Sequence, residues 1–343
     1  MRLHRAQRRL SGRTRIPSLR ILREDDVRAA INADIALEMA RRTLRDQAEG
    51  GSRLSAPSAM TLDAVPVGGP RFKFKAAAVG HLHASGIRLL SHPGPTDMKT
   101  CNYCAVYDHA GFHLSGLVPE HWLSRVRTAA FGVTSIEPLV NPGPLVVALF
   151  GAGGIAREIV PMLARTFSIA ELRVHSRRAE SMSAFVAAHA PSAAFPVRGE
   201  PDCARAASGA DLVITLTEST TPLVFPGTLK PGAVVCSMGS YNEIDYGVLL
   251  EAQRLIVDDT DFAAEMGDGG AWIAQGRLTR QEFTARVDAL VCEVISGRKP
   301  GRLAPSDRIV ALVQGMAIGD VAFAALALRE AERLGRGQVI ELA

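Results

Sequence analysis

The run Leu145-Val146-Val147-Ala148-Leu149-Phe150 passes without a break into Gly151-Ala152-Gly153-Gly154-Ile155-Ala156 and then Arg157-Glu158-Ile159-Val160. An unbroken apolar run of this length suits a strand buried on both faces, as in a parallel sheet covered by helices. The glycines then make a tight turn and the following residues take helical spacing, so the stretch predicts strand, turn and helix. Gly151 permits the turn, Gly153 lets the backbone approach a pyrophosphate, and Ala156 keeps the helix close to the strand. Unpaired N–H groups of the first helical turn face an anion there. Residues Gly151, Ala152, Gly153, Gly154, Ile155 and Ala156 therefore read as a dinucleotide-binding turn. The plainer alternative is an ordinary strand-to-helix turn of another α/β protein.

The end of the next strand selects the nucleotide. An acid about twenty residues on would hold the ribose 2′-hydroxyl of NAD. Here Leu172-Arg173-Val174-His175 is followed by Ser176, Arg177 and Arg178. A carboxylate would repel a 2′-phosphate, whereas two guanidiniums pair with it. NADP(H) is therefore expected over NAD(H), with two solvated loop arginines as the alternative.

The chain of 343 residues suits two domains, each with its own core. No run approaches the eighteen or so apolar residues of a membrane helix. Residues 1–20 hold seven arginines and no acid, and taking these from the net charge of +4 leaves the remainder at −3. The body is mildly acidic, so the basic balance is no argument for nucleic acid. The arginine-rich start suits a disordered basic tail over residues 1–20, or a targeting segment. Cys101-Asn102-Tyr103-Cys104 has metal or redox spacing but no second pair, and its alternation suits a strand; no metal site is expected. A cytoplasmic location is the simplest for this cysteine usage.

Taken in order, Val27, Ile31, Ile35, Met39 and Leu44 predict one amphipathic surface helix ending at Gly50-Gly51. Short alternating runs at Arg71–Ala77, Gly86–Leu90, Cys101–Tyr107 and Phe112–Val118 predict a small sheet without βαβ rhythm. A helix over Trp122–Leu139 stops at Asn141-Pro142-Gly143-Pro144. Strands and helices then alternate through Leu172–Ser176, Ala179–His189, Leu212–Thr217, Ala233–Ser237 and Leu255–Asp258, the rhythm of a parallel sheet with helical crossovers. Ile309–Leu334 predicts a long helix that returns to the first domain.

Arg127-Thr128-Ala129-Ala130, the glycine-rich strand, Ala210-Asp211-Leu212-Val213-Ile214-Thr215-Leu216-Thr217 and Gly315-Met316-Ala317-Ile318-Gly319-Asp320 follow one another in this order. The set resembles the ornithine cyclodeaminase/mu-crystallin family over about residues 21–336. That resemblance implies an α/β fold with a Rossmann-type nucleotide-binding domain, here 131–308. It also implies a smaller α+β substrate-binding and dimerisation domain of 21–130 and 309–343, with the C-terminal helix. The implied activity is NAD(P)-linked chemistry at the α-carbon of a small amino or imino acid, by a homodimer. Net dehydrogenation or imine reduction is the first reading; cyclodeamination of ornithine or lysine, and NADPH-dependent ligand binding without turnover, are the others.

Residue by residue, the resemblance implies that Arg53 and Arg127 meet a substrate carboxylate. It also implies that Arg127, Thr128, Thr217, Met238 and Gly239 border the cofactor and that Asp320 lines the nicotinamide side. Two departures stand out. Arg88 replaces the family's usual lysine; it keeps a charge but cannot lose its proton, so it could clamp a carboxylate and not shuttle protons. Lys75 stands where an apolar side chain is usual, either as the replacement proton carrier and substrate contact or as an exposed strand lysine. The acid expected after the Ala233–Ser237 strand is also missing: Tyr241 takes its place, with Glu243 and Asp245 following and Asp245 suited to a helix N-cap. His81, His83 and His92 read as loop residues.

Overall fold

The computed structural model describes residues 18–63, 71–92 and 102–342. Residues 1–17, most of the predicted tail, and Cys101 of the cysteine pair lie outside the described residues. The tail reading is corrected at its end, because Ser18–Ile21 is a strand, β1.

The predicted first helix is two helices, α1 (Glu24–Ala30) and α2 (Ala33–Ala48). Ile31 is extended, and the Asn32 side chain accepts the Ile35 N–H at 2.9 Å, so a side-chain cap restarts the helix where apolar spacing alone suggests continuity. Short strands follow: β2 (Ser52–Leu54), β3 (Met60–Asp63), β4 (Arg71–Val79), β5 (Ala84–His92), β6 (Tyr103–Asp108) and β7 (Leu114–Pro119). Helix α3 (His121–Ile136) then leads to β8 (Leu145–Phe150), α4 (Gly154–Thr166), β9 (Ile169–His175), α5 (Ala179–His189), β10 (Val197–Gly199) and α6 (Cys203–Ala207). The chain continues through β11 (Leu212–Thr215), β12 (Val234–Ser237), α7 (Tyr246–Glu251), β13 (Arg254–Val257), α8 (Thr260–Ala263), α9 (Gly267–Ala274) and α10 (Arg280–Arg286). It closes with β14 (Ala289–Leu290), α11 (Val291–Ile295), β15 (Ile309–Leu312), α12 (Ala317–Arg333) and β16 (Gln338–Glu341).

The strands form two sheets. One runs β10-β9-β8-β11-β12-β15-β13-β14 and is parallel throughout; its order reverses beside β8, so a crevice opens at the carboxyl ends of β8 and β11. The other runs β16-β1-β7-β6-β5-β4-β2, with β3 also on β4, and is antiparallel except between β1 and β7.

The expected helix from Ile309 is corrected. Ile309–Leu312 is a strand of the parallel sheet, paired to both β12 and β13, and the long helix begins only at Ala317. A run of five apolar residues, Ile309–Val313, followed by Gln314 and Gly315 fits either element, and neighbours on both sides decide for strand. The boundary drawn at 130/131 also falls inside α3. That helix is almost wholly buried and shares one core with the first sheet, α2, α4, β8 and α12, so the two sheets are joined by packed helices.

Candidate active site

All carboxyl ends of the parallel sheet lie along one edge, and the loops leaving them carry the residues singled out by the sequence. Gly151 has φ +117°, and a side chain there would come within 2.8 Å of the Leu216 carbonyl oxygen, so only glycine fits. Gly153 caps α4, and a Cβ built on it meets nothing within 4 Å. That open space beside the first N–H groups of a long helix is the shape a phosphate requires. Ala156 is buried against the sheet, as expected for the third small position, and Ala152 and Ile155 pack at its margin. Ser176 is half-buried; Arg177 and Arg178 are exposed, and among the described residues neither forms an ion pair.

Arg125, which the sequence reading missed, lies against the same turn. Its Nε is 2.5 Å from where a Cβ of Gly154 would stand, and its Nη2 contacts His121 Nε2 at 3.1 Å. Spacing offered a clue: Arg125 and Arg127 flank Val126 on α3, so their side chains leave in different directions, one toward the turn and one inward.

The next two loops are tied by a buried acid. Glu243 accepts the Thr217 N–H and hydroxyl at 2.6 Å each and the Gly239 N–H at 3.0 Å. Burial pushes its carboxyl above the usual range, against the pull of these donors. Asp268, brought up to about 7 by burial, accepts the Glu243 and Ile244 N–H groups in turn. Glu243 is thus a brace between loops and not a free acid. Thr217 and Gly239 border the crevice, whereas the Met238 side chain packs under α3 against Gly132, so only its backbone is left for a cofactor. Thr128 spends its hydroxyl proton on the Ser124 carbonyl at 2.6 Å. Tyr241 is half-exposed, and Asp245 caps α7 through the Gly247 N–H. His81 stacks its ring nitrogen 3.5 Å from Asp46, His83 turns the β4–β5 connection with φ 52°, and the His92 side chain lies outside the described residues.

The cationic residues meet where the first sheet faces β15 and α12. Lys75 and Arg88 are direct cross-strand partners on β4 and β5, and both are buried. Lys75 Nζ donates to the Gly315 carbonyl at 3.0 Å, and its ammonium lies 4.3 Å from the centre of the Phe262 ring. The Gly315 N–H is fixed by Asp258 at 2.7 Å. Gly315 has φ +84° and leaves no room for a side chain, since Arg127 Nη1 is 2.5 Å from its Cβ position. Burial, opposed by Asp320 and reinforced by Arg127, lowers Lys75 from 10.5 to about 7. Lys75 is therefore the cation of the cluster brought closest to neutral pH.

Arg88 is corrected as a carboxylate clamp. Its Nε lies 2.6 Å from Glu120, its Nη1 3.3 Å from Asp320, and its Nη2 donates to Ser124 at 2.7 Å, so all three nitrogens are already engaged. Asp320 is corrected as a catalytic group: fully buried, it contacts Arg127 Nε at 2.7 Å as well as Arg88. Burial works against its charge, yet Arg127 and Arg88 hold it below the usual carboxylate range. Glu120, also buried, is pushed up to about 7 against the pull of Arg88. These pairs form a rigid base under Lys75.

Arg53 is corrected as well. It pairs with Ala78, one residue out of step with the inward series Lys75, Ala77 and Val79, so its side chain leaves from the opposite face of the sheet, where it is exposed.

Residues 108–333 match the model of the ornithine cyclodeaminase/mu-crystallin family. The chain belongs to that family. It is 33% identical over 230 residues to a putative dehydrogenase of Rhizobium meliloti, covering 66% of this chain and 68% of that one. It is 28% identical over 225 residues to the ketimine reductase mu-crystallin of Mus musculus, covering 64% and 66%. Among solved structures, an archaeal alanine dehydrogenase dimer with bound NAD superposes with a TM-score of 0.86 at 21% identity, covering 95% of this chain and 100% of that one. The last likeness concerns the fold alone.

Proposed function

We propose that the protein is an NADP(H)-linked oxidoreductase acting at the α-carbon of a small amino acid or its imine. The observation that carries this reading is that the phosphate-binding turn and the Lys75–Gly315 pair open onto one edge of one parallel sheet. Bound there, the nicotinamide supplies or accepts hydride at its C4. The chain's own residues do the rest. Gly151, Gly153 and the start of α4 seat the pyrophosphate beside Arg125, and Arg177 with Arg178 takes the 2′-phosphate. Glu243 holds the Thr217 and Gly239 loops still, so the crevice keeps its width.

Lys75 holds a proton on Nζ that is transferable near neutral pH because burial has weakened its hold. Arg88, Asp320 and Arg127 fix the wall around it. Mu-crystallin of the mouse carries the name ketimine reductase, and this favours the imine side of the chemistry. The test is NADPH oxidation against ammonia or amines with 2-oxo acids and against cyclic ketimines. Protein that binds NADPH and turns over none of them would defeat the reading.

The fold neighbour that is a dimer also supports a homodimer here. Phe72, Ile87, Leu89 and Tyr107 all point away from α12 on the first sheet, and each is more than a third exposed. A contiguous apolar face of this kind favours a second copy. Light scattering at micromolar concentration should give twice the chain mass; a monomer would refute the pairing.

A further inference from the structure

We infer that the wedge between the last turns of α12 and the first sheet is a second small-molecule site, for an α-amino acid with an apolar side chain. The site is separate from the crevice, and nothing in it depends on the oxidoreductase reading. Asp320, in the wall around Lys75, and Arg329, at the wedge, are nine residues apart on one helix, roughly 14 Å.

The sequence of α12 opens the wedge. Val321, Ala325, Leu328 and Glu332 recur at helical spacing, so they share the face turned to the sheet. Val321 closes on Gly86 and Leu328 on Gly116, where a Cβ on either glycine would collide with them. Ala325, between them, offers one methyl group, and Arg329 and Glu332 in the last turns stay exposed and do not enter the core. What remains is a cavity of about 430 Å³, a volume typical of small-molecule sites. Ala84, Val106, Ala325 and Leu328 are its apolar floor.

Arg20, Asp108, Arg329 and Glu332 form the rim. Arg20 of β1 pairs with Gly116, which pairs with Val106, so Arg20 stands on the α12 side of the sheet, opposite the face of Phe72, Ile87 and Leu89. Among the described residues, none of these four groups is ion-paired. Arg20 Nη1 donates to the Arg336 carbonyl at 2.5 Å, Arg329 Nη2 donates to the Leu82 carbonyl at 2.8 Å, and Asp108 accepts the Gly111 N–H at 2.8 Å. Neutral backbone groups thus hold three of the four in place, and each keeps hydrogen-bonding capacity for a ligand.

Beside the imidazoles of His83 and His113, the two guanidiniums and two carboxylates balance in charge. A lone carboxylate or a lone ammonium leaves one sign unmatched, and a dicarboxylate meets Asp108 and Glu332 with like charge. A zwitterion satisfies both signs. Its carboxylate goes to Arg20 and Arg329, its ammonium to Asp108 and Glu332, and its side chain onto the apolar floor. Bound so, it braces against the sheet the far end of the helix that carries Asp320.

The full chain is titrated with L-leucine by calorimetry, beside isocaproate, which lacks the ammonium, isoamylamine, which lacks the carboxylate, and glycine, which lacks the side chain. Leucine is expected to bind at least about tenfold tighter than each, the span of one charge-assisted hydrogen bond or of a buried aliphatic chain. Arg329→Ala and Glu332→Gln should each weaken leucine about tenfold or more. Ala325→Leu, which fills the floor and touches no charge, should abolish binding. Circular dichroism checks that each variant folds; Glu332 is exposed, so Glu332→Gln decides the matter even where Ala325→Leu misfolds. No leucine binding at millimolar concentration, equal affinity for leucine and isocaproate, or an affinity that Glu332→Gln leaves unmoved overturns the second site. Leucine turned over with NADP⁺ while its affinity ignores all three substitutions places it in the crevice, which overturns the second site and leaves the oxidoreductase reading standing.

Discussion

Replacing Lys75 by Met tests the titratable group without any knowledge of the substrate. An ordinary lysine titrates at 10.5, and burial brings this one to about 7. Below pH 7 the ammonium is present both folded and unfolded, and the folded protein bears the full desolvation penalty. Between about 7 and 10.5 the unfolded chain holds the proton and the folded protein has released it, so stability rises with pH through that window. Each unit is worth about 1.36 kcal/mol, so from pH 7 to 9 the wild type gains roughly 2–3 kcal/mol from this group. Lys75→Met removes that term. The variant should therefore exceed the wild type in stability most at pH 6, and its advantage should shrink by roughly 2–3 kcal/mol at pH 9.

The lost bond to Gly315 and the altered packing are nearly the same at both pH values, so they drop out of the difference. Glu120, also near 7, titrates in the same range; the comparison repeated in a Glu120→Gln background removes it. Urea unfolding followed by circular dichroism supplies the free energies. An identical wild-type-to-variant difference at pH 6 and 9 would show that Lys75 keeps an ordinary pKa, and the proton-transfer role would fall with it.

Replacing Arg177 and Arg178 together by Ala should weaken NADPH binding by about 2–4 kcal/mol while NADH binding barely moves, read by fluorescence titration. Equal losses would mean that these arginines support the fold. Arg125→Ala, by contrast, should weaken both nucleotides alike, by about 1–2 kcal/mol, because the pyrophosphate is common to them; a loss confined to NADPH would move Arg125 to the 2′-phosphate. Gly315→Ala places a methyl group against Arg127 and a side chain in left-handed backbone. It should cost at least about 1–2 kcal/mol in urea unfolding, and unchanged stability would contradict the close approach.

The sequence by itself determined the nucleotide half of this protein. The apolar run to Phe150 and the glycine turn are local in the chain, and a local pattern suffices because strand, turn and helix are neighbours. The same holds for β4, β5, β6 and β7, whose alternation marks one wet and one covered face. Where local signals compete, sequence pattern and structure part. Ile31-Asn32 continues a helical pattern until a side-chain cap interrupts it, and Ile309–Leu312 has the composition of helix or strand until β12 and β13 take it from both sides.

The substrate side was decided by tertiary structure. Lys75 meets Gly315 across 240 positions, and Arg88 meets Asp320 across 232. The sequence shows four cations and cannot show which are already matched by acids; packing of α3 and α12 on the sheet neutralises Arg88 and Arg127 and leaves Lys75 unmatched. Arg53 turns on a single residue of register, because side chains alternate with period two and one step moves a group from the crevice to the far face.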